Sequence, residues 1–488
     1  MHHRLPQEPL PTGNVYLGGE WLETDSRLKV ESPTNGQIIG EVSLASASHF
    51  VTAIDGAQQA FHATRKLSSY QRSAALFKLS ELLQQQSERF AQLMTWELGK
   101  CIRDSRIEVA RAIGVFATAA EESKRIGGEI IDLDWTAGNE NRLGLVRRFP
   151  IGVIAGITPF NFPLNLVAHK IAPAIASGNC IIIKPASKTP FIALALAELI
   201  DRIEYPKGAI SIMPAHASQT TPFISDPRVK MISFTGSDTV GWEIRRNAAG
   251  KKVALELGGN AAVVVAEDGD LNRAAKRIVS GAFGVAGQSC ISVQRIYLQR
   301  SIASLMTDLL IHETQQLVVG DPFDDSTDIG TMVDSSAVEK AHALVQSAVA
   351  AGGQVICGGI TAETNRLTFV PTLLSNVPDS HPLCLQEAFA PIAIIERYDS
   401  LSEVIDKINK SPFGLQAGIF TRRLSDALRC WRDIECGGII VNDIPTWRVD
   451  QMPYGGMKRS GIGREGIRYA IEEMTEPKLL AIRPEEEH

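Results

Sequence analysis

Two ionisable side chains are flanked by residues that favour a catalytic role. Cys290 ends the stretch Gly287-Gln288-Ser289-Cys290, in which glycine permits close backbone approach ahead of a predicted strand. A thiol there acts as a nucleophile when its surroundings favour the thiolate. Glu256 stands between two leucines before a Gly-Gly turn, and such an apolar setting raises a carboxyl pKa toward that of a general base. Taken alone, each also fits a plainer interpretation: an inert cysteine in a loop, and a solvated glutamate at the end of a strand or helix.

Two further segments could bind developing or permanent negative charge. Asn161 is enclosed by two prolines and two phenylalanines, so its amide can be held rigidly as a donor to an oxyanion. Its alternative role is that of a turn asparagine bonded to its own backbone. The stretch Phe234-Thr235-Gly236-Ser237 follows a predicted strand and opens a helix, where free backbone amides bind phosphate. The G-x-G-x-x-G spacing of the standard dinucleotide fingerprint is absent, so this turn by itself is non-specific.

The elements that must position these residues change in type along the chain. Residues 53–127 carry apolar side chains at a helical period. From Gly144 onward, short β-branched runs alternate with helical stretches at 166–176 and 191–203, which predicts parallel strands covered on both faces. The predicted strands of this region are 152–155, 180–183, 209–212 and 231–234.

A second alternating region follows, with strands predicted at 261–265 and 294–298 and a helix over 271–284. We therefore expect two doubly wound parallel-sheet domains of the α/β class, joined near residues 255–262. Motif-rich turns at such a seam would lie in a cleft between domains, where active sites are common.

The bulk composition narrows the class of protein. The chain has 488 residues, 49 of them basic and 55 acidic, and its formal net charge of −6 disfavours a nucleic-acid or membrane-surface role. Seven scattered cysteines form no C-x-x-C pair and no Cys/His ligand spacing, so neither a disulfide framework nor a metal site is expected. No signal-peptide region and no run of about 18 apolar residues occurs, which predicts a cytoplasmic protein.

In combination, five segments resemble the aldehyde dehydrogenase superfamily, and the resemblance runs from about Val15 to about Leu480. The second-to-last residue of one segment departs from the family, which often has glycine where Ala390 stands. The segments are Thr158-Pro159-Phe160-Asn161-Phe162-Pro163, Glu256-Leu257-Gly258-Gly259-Asn260, Gly287-Gln288-Ser289-Cys290, Glu387-Ala388-Phe389-Ala390-Pro391 and Pro453-Tyr454-Gly455-Gly456-Met457-Lys458-Arg459-Ser460-Gly461.

The resemblance implies a catalytic set. Cys290 would attack the aldehyde carbon, while the Asn161 side chain and the backbone N–H of Cys290 hold the oxyanion. Hydride would pass to a nicotinamide, and Glu256 would activate the water that hydrolyses the thioester. The cofactor would be NAD or NADP. Its implied contacts are Thr158, Pro159, Phe160, Lys184, Ser187, Gly208, Gly236, Ser237, Val240, Leu257, Glu387 and Phe389.

One departure bears on the cofactor. Relatives that use NAD strictly often have a glutamate three residues after the lysine, whereas this chain has Ser187. A carboxylate repels a 2′-phosphate, and serine can donate a hydrogen bond to it. We therefore expect NADP to be accepted, helped by Lys188 if that side chain points inward. The alternative is that Ser187 serves NAD adequately and Lys188 faces solvent.

The resemblance also places residues around the aldehyde tunnel. They are Phe162, Leu166, His169, Ser289, Ile291, Trp447 and Arg448. An arginine fork suits a carboxylate, sulfonate or phosphate, so a short polar or anionic aldehyde of the lactaldehyde, succinate semialdehyde or phosphonoacetaldehyde type is favoured. The segment 442–450 resembles the lactaldehyde-dehydrogenase-like branch of the family. The alternative for Arg448 is a structural salt bridge with Asp450 or Asp443.

Domain limits and assembly also follow from the resemblance. A cofactor-binding domain is expected over 1–128 and 151–257, and a catalytic domain over 258–450. A small β element would mediate a homodimer or homotetramer. It is formed by 129–150, which has the pattern of a hairpin, and by 465–488.

Three alternative functions remain open from the sequence. One is a CoA-acylating dehydrogenase, although members of that class generally lack the glutamate at position 256. The others are a broad-range dehydrogenase for apolar aldehydes and a non-enzymatic protein that retains the fold.

Overall fold

The computed structural model describes residues 9–363 and 365–483, so positions 1–8, 364 and 484–488 of the predicted domains lie outside it. Strands and helices are numbered in chain order. The strands are β1 Val15–Leu17, β2 Glu20–Leu22, β3 Arg27–Glu31, β4 Ile38–Ser43, β5 Gly128–Asp132, β6 Leu143–Pro150, β7 Val153–Ile157, β8 Cys180–Lys184, β9 Ile210–Ile212, β10 Val229–Thr235, β11 Lys252–Glu256, β12 Ala261–Val265, β13 Val293–Gln299, β14 Gln354–Cys357, β15 Thr372–Ser375, β16 Ile392–Tyr398, β17 Phe413–Gly414, β18 Gln416–Phe420, β19 Gly438–Val441, β20 Met457–Lys458, β21 Gly461–Ile462 and β22 Thr475–Ile482.

Helices separate these strands, with four of them grouped in the N-terminal region. The α-helices are α1 Ala47–Thr64, α2 Ser69–Gln85, α3 Ser87–Leu98, α4 Ile102–Glu122, α5 Asn165–Ser177, α6 Pro190–Ile200, α7 Thr221–Ser225, α8 Asp238–Asn247, α9 Leu271–Phe283, α10 Ala303–Gln315, α11 Ser335–Ala350, α12 Pro382–Leu385, α13 Leu401–Asn409, α14 Leu424–Asp433 and α15 Ile467–Glu473. Within the described ranges, no helix is both long and apolar enough to cross a membrane.

The first large sheet has the strand order β2-β1-β9-β8-β7-β10-β11-β21. Its central strands β9, β8, β7 and β10 run parallel, as predicted, and β11, which was not predicted as a strand, also pairs parallel with β10. The side chains of these strands are mostly buried. The edges differ from the prediction, because β1, β2 and β21 join antiparallel. Strands of two or three residues are too short to show an alternating pattern in the sequence.

The second large sheet has the order β14-β15-β16-β13-β12-β18-β19 and is parallel except for β14 at its edge. The chain passes from the first sheet to the second between β11 and β12, which is where the seam was predicted. The predicted hairpin is confirmed: β5 and β6 pair antiparallel, and β22 adds to β6 to complete a three-stranded sheet.

Candidate active site

The nucleophile loop is held in an unusual backbone conformation. A short 3₁₀ turn, Gly284–Gly287, connects α9 to the Cys290 loop, and Val285, Ala286 and Gly287 all have φ between 53° and 68°. Left-handed geometry costs a non-glycine residue about 1–2 kcal/mol, so tertiary contacts must impose it. A Cβ on Gly287 would lie 2.2 Å from the Ala390 carbonyl oxygen, which confirms that this glycine permits a close backbone approach.

Cys290 sits half-buried at the end of this loop, beside Ile291, Leu415 and Tyr454. Its Sγ lies 3.1 Å from the Tyr454 hydroxyl oxygen. Burial raises the pKa of the thiol to about 12, while the Tyr454 hydrogen bond and the positive charge of Arg448 act in the opposite direction. Nucleophilic attack therefore depends on groups that favour the thiolate.

Glu256 is the last residue of β11, and neither of its carboxylate oxygens has a hydrogen-bond partner within the described structure. Burial raises the pKa of this carboxyl well above its usual range, and the negative charge of Glu465 raises it further. The direction agrees with the expectation from the flanking leucines. A carboxylate with a raised pKa and free oxygens can accept a proton from water near neutral pH.

A buried cluster of charges lies next to Glu256, and two of its members, Lys170 and Glu465, were missed from sequence. Lys170 on α5 donates to the hydroxyls of Ser233 and Thr235, each at 2.9 Å, and its Nζ lies 3.7 Å from a Glu465 oxygen. Burial lowers the pKa of Lys170. The only sequence signals were its position beside His169 and the position of Glu465 just after the C-terminal signature.

Arg448 is part of this cluster and is buried. Its Nη2 donates to Glu465 at 3.1 Å, and its guanidinium carbon lies 3.7 Å from the centre of the Tyr454 ring. The sequence suggested a salt bridge between Arg448 and either Asp443 or Asp450, and both of these partners are wrong. Asp443 pairs with Arg277, and Asp450 pairs with other residues. Arg448 Nε is buried without an acceptor among the residues that the structure describes.

Asp450 organises the neighbouring end of the cluster. It accepts from Arg111 Nη2 at 2.6 Å, and one of its oxygens lies 2.8 Å from His169 Nε2. Although burial acts in the opposite direction, the hydrogen bonds to His169 and Arg111 lower the pKa of Asp450. Burial and the charge of Arg448 lower the pKa of His169, which favours the neutral ring.

A buried ion pair holds the oxyanion segment in place. Lys100 Nζ lies 2.6 Å from Glu108, 3.4 Å from the carbonyl oxygen of Asn161 and 4.0 Å from the centre of the Phe162 ring. Glu108 also accepts from the backbone N–H groups of Leu164 and Asn165, where α5 begins. One N–H of the Asn161 amide donates to the Gln288 carbonyl at 2.8 Å, which leaves the second N–H available.

The other residues predicted for the aldehyde tunnel differ in how far they are buried. Ile291 is buried beside Cys290, and Leu166 and Ser289 are also buried. Trp447 is 41% exposed, and no hydrogen bond of its indole N–H is recorded among the described residues.

On the cofactor side, several predicted residues meet at the carboxyl ends of the parallel strands. Thr158 follows β7 and Lys184 ends β8, and the Thr158 N–H donates to the Lys184 carbonyl at 3.2 Å. The Thr158 hydroxyl is buried without a partner in the described structure, and burial lowers the pKa of Lys184, for which no ion pair is recorded there. Gly236 and Ser237 follow β10 at the start of α8, with the half-exposed Val240 in its first turn.

The loop between α12 and β16 contributes Glu387 and Phe389. Glu387 accepts from the Gly259 N–H at 3.1 Å, and burial raises its pKa to about 7. The Phe389 and Phe160 rings meet edge to face with centres 5.9 Å apart, so the loop before β16 and the loop after β7 converge there. Pro159 lies between Thr158 and Phe160 in the loop after β7, while Leu257 is buried against Gly241 of α8.

Two cofactor expectations need correction or refinement. Gly208 precedes β9, so it lies at the amino ends of the parallel strands, away from Lys184 and Gly236, and packs against Gly18 and Gly56. Lys188 pairs with Asp334 at 3.1 Å, so its charge already has a partner. Ser187 points toward the Ala215 carbonyl at 3.5 Å, a long contact that a better acceptor could replace.

Comparison with known proteins agrees with this arrangement. The family model described as "Aldehyde dehydrogenase family" matches residues 21–480, and the chain belongs to that family. It is an NAD(P)-dependent aldehyde dehydrogenase, as the sequence predicted. The free Thr158 hydroxyl and the unpaired Lys184 are polar groups that fit the cofactor, because the rest of the described protein leaves them unused.

Three relatives indicate the part of the family that it resembles. The chain is 43% identical to 3-sulfolactaldehyde dehydrogenase of Priestia aryabhattai, over 96% of this chain and 97% of the relative. It is 35% identical to lactaldehyde dehydrogenase of Methanococcus aeolicus, over 96% and 99%. The structure of aldehyde dehydrogenase 21 from Physcomitrella patens, in complex with the reaction product succinate, superposes with a TM-score of 0.94 at 40% identity, over 96% and 98%.

Proposed function

We propose that this protein oxidises a short aldehyde carrying an anionic group to the corresponding carboxylic acid, with Cys290 as nucleophile and Glu256 as general base. The observation that carries the proposal is the placement of Arg448. Its guanidinium lies against the ring of Tyr454, whose hydroxyl contacts the Cys290 sulfur. A cation one aromatic ring away from the nucleophile can bind the far end of a short anionic aldehyde.

A free donor of the cluster supports an anion. Arg448 uses Nη2 on Glu465, while its Nε has no partner in the described structure. A buried donor without a partner is costly, so a ligand oxygen that reaches it gains affinity. The named substrates of two relatives and the product bound in a third include a sulfonate, a hydroxyaldehyde and a dicarboxylate.

The residues divide the reaction between them. The Cys290 sulfur would bond to the aldehyde carbon, and the free N–H of Asn161 would stabilise the negative oxygen that forms. When bound, NAD(P) accepts the hydride and thereby converts the adduct into a thioester. Glu256 would take a proton from water, whose oxygen attacks the thioester and releases the acid and the thiol.

The cofactor would be held by residues from both domains. We propose that Lys184 and Ser187 contact its ribose and that the start of α8 binds its pyrophosphate. Glu387 and Phe389 would lie at the nicotinamide end. Since Ser187 carries no charge, it does not repel a 2′-phosphate, and NADP is accepted alongside NAD.

Assembly is proposed through the three-stranded sheet. Its last strand exposes Leu479 and Leu480, which are 53% and 57% accessible, and Ile130 on β5 is 75% accessible. So many exposed apolar side chains on free sheet edges indicate a contact surface, here between copies of this chain in a dimer or tetramer. Sedimentation velocity on the purified protein reads the assembly state directly, and a monomer would contradict this proposal.

The experiment for the function replaces Arg448 and compares substrates within each variant. In Arg448→Gln, kcat/KM for succinate semialdehyde should fall about 10- to 100-fold more than kcat/KM for the uncharged 4-methylpentanal, the effect of one charged hydrogen bond. The ratio between substrates cancels general damage to the enzyme. Arg277→Gln removes an Arg–Asp pair elsewhere and is the matched control.

Equal losses on both aldehydes in Arg448→Gln would sink the anion-binding role and leave Arg448 as a structural residue. Coenzyme A added to the wild-type assay distinguishes the acylating alternative. The free carboxylate of Glu256 predicts the acid as product, and accumulation of acyl-CoA would reject hydrolysis.

A further inference from the structure

The Tyr454 hydroxyl is in direct contact with the nucleophile. It lies 3.1 Å from Cys290 Sγ, within the distance of a hydrogen bond to sulfur. Tyr454 is only 3% exposed, so water does not compete freely for this contact. The backbone of Tyr454 is bonded to Glu465 in both directions, at 2.9 and 2.6 Å, which fixes the position of the ring.

The ring of Tyr454 is also covered by a cation. The guanidinium carbon of Arg448 lies 3.7 Å from the ring centre, a close cation–π contact. A cation on the ring face draws electron density from the phenol and makes its O–H a stronger donor. The stack therefore connects the positive charge of Arg448 to the sulfur without placing the two in direct contact.

The direction of the hydrogen bond follows from the two acidities. Burial raises the pKa of Tyr454 well above its usual range, and the adjacent Cys290 raises it further. Burial also raises the pKa of the Cys290 thiol, to about 12, while the hydrogen bond from Tyr454 lowers it. Since a thiol is ordinarily more acidic than a phenol, the sulfur ionises first, the proton remains on the tyrosine oxygen and the sulfur is the acceptor.

We propose that Tyr454 is a catalytic residue whose O–H donates a hydrogen bond to the Cys290 thiolate and so increases the fraction of enzyme that can attack the aldehyde. No proton is transferred at Tyr454. The thiol proton leaves to solvent or to a nearby base, and the phenol keeps its own. As the sulfur bonds to carbon, its charge passes to the substrate oxygen, and the hydrogen bond to sulfur weakens. This inference rests on the proposed function, because it assigns a role in the same reaction.

The test removes one oxygen atom and keeps the ring. In Tyr454→Phe, the pH midpoint for alkylation of Cys290 by iodoacetamide should rise by roughly one unit or more, since hydrogen bonds to charged groups are stronger than neutral ones. Peptide mass spectrometry separates Cys290 from the other six thiols of the purified full-length protein. The pH profile of kcat/KM should shift to higher pH by the same amount as the alkylation midpoint.

Tyr398→Phe is the matched control, because it removes a buried hydroxyl that donates to the Val265 carbonyl, a contact that does not involve Cys290. Its alkylation midpoint should equal that of the wild type. An unchanged midpoint in Tyr454→Phe, with thermal unfolding as in the wild type, overturns the inference. If the midpoint shifts but the wild type oxidises no aldehyde, the proposed function fails and the role of Tyr454 in thiolate stabilisation stands.

Discussion

At the scale of single residues, burial acts on every carboxylate of the site, but its net result depends on the cation that each one contacts. Glu465 is bonded to Arg448, and Asp450 to Arg111, so the pKa of each is lowered despite burial. Glu256 has Arg448 and Lys170 nearby without a direct bond, and its pKa is raised. The cation that a carboxylate contacts, more than the depth of its burial, decides whether the carboxylate can act as a base or stays ionised.

Replacement of Glu256 tests its assignment as the base for hydrolysis. In Glu256→Gln, steady-state turnover should fall about 100-fold or more, because proton transfer by a positioned base contributes that much. The first turnover should persist as a burst of reduced nicotinamide of about one per active site, measured by stopped flow. Steady turnover at the wild-type rate, with no burst, would remove Glu256 from the mechanism.

The sequence predicted Cys290, Glu256 and Asn161 as catalytic residues, because their segments together resemble those of the aldehyde dehydrogenase superfamily. It missed Lys170 and Glu465, which are almost 300 positions apart and meet only through packing of α5 against the C-terminal segment. The alternative considered for Arg448, a structural salt bridge, named acids close to it in sequence. Those acids already bind Arg111 and Arg277, so proximity along the chain was a poor guide to ion pairing.

At the scale of elements, the oxyanion segment depends on two helices that carry no catalytic residue. Lys100 follows α3 and Glu108 lies on α4, and together they hold the Asn161 carbonyl, the Phe162 ring and the start of α5. The ion pair is almost fully buried, so removal of one charge leaves the other without compensation. The sequence predicted helices here but carried no sign of their contact with the loop after β7.

A double substitution separates stability from positioning. Lys100→Met should lower the free energy of unfolding by about 3–5 kcal/mol, the cost of breaking a buried pair. Lys100→Met combined with Glu108→Gln should recover much of that loss in urea unfolding. Its kcat/KM should remain at least about tenfold below wild type, because the Asn161 carbonyl and Phe162 still lack their cation.

If activity recovers together with stability in that double variant, the pair is structural only. Lys78→Met combined with Glu81→Gln provides the matched control, since this exposed pair on α2 contributes little to stability and lies outside the site. Neither its unfolding free energy nor its kcat/KM should change measurably.

At the scale of the whole molecule, the reactive groups come from two sheets that meet at one seam. Strand β11 brings Glu256 from the first sheet, and the loop before β13 brings Cys290 from the second. The alternation of apolar strands and helices predicted both sheets. It did not predict β1, β2 and β21, which close the first sheet, because these strands are set by long-range pairing and carry little local pattern.

The most direct measurement of the central claim is a comparison of two isosteric aldehydes with the wild-type enzyme and NADP. Succinate semialdehyde and 4-methylpentanal have nearly the same shape, and only the first carries a carboxylate. The account predicts a kcat/KM at least about 100-fold higher for succinate semialdehyde, with no activity in Cys290→Ser. Equal values, or a preference for 4-methylpentanal, would contradict an anionic substrate while leaving the protein an aldehyde dehydrogenase.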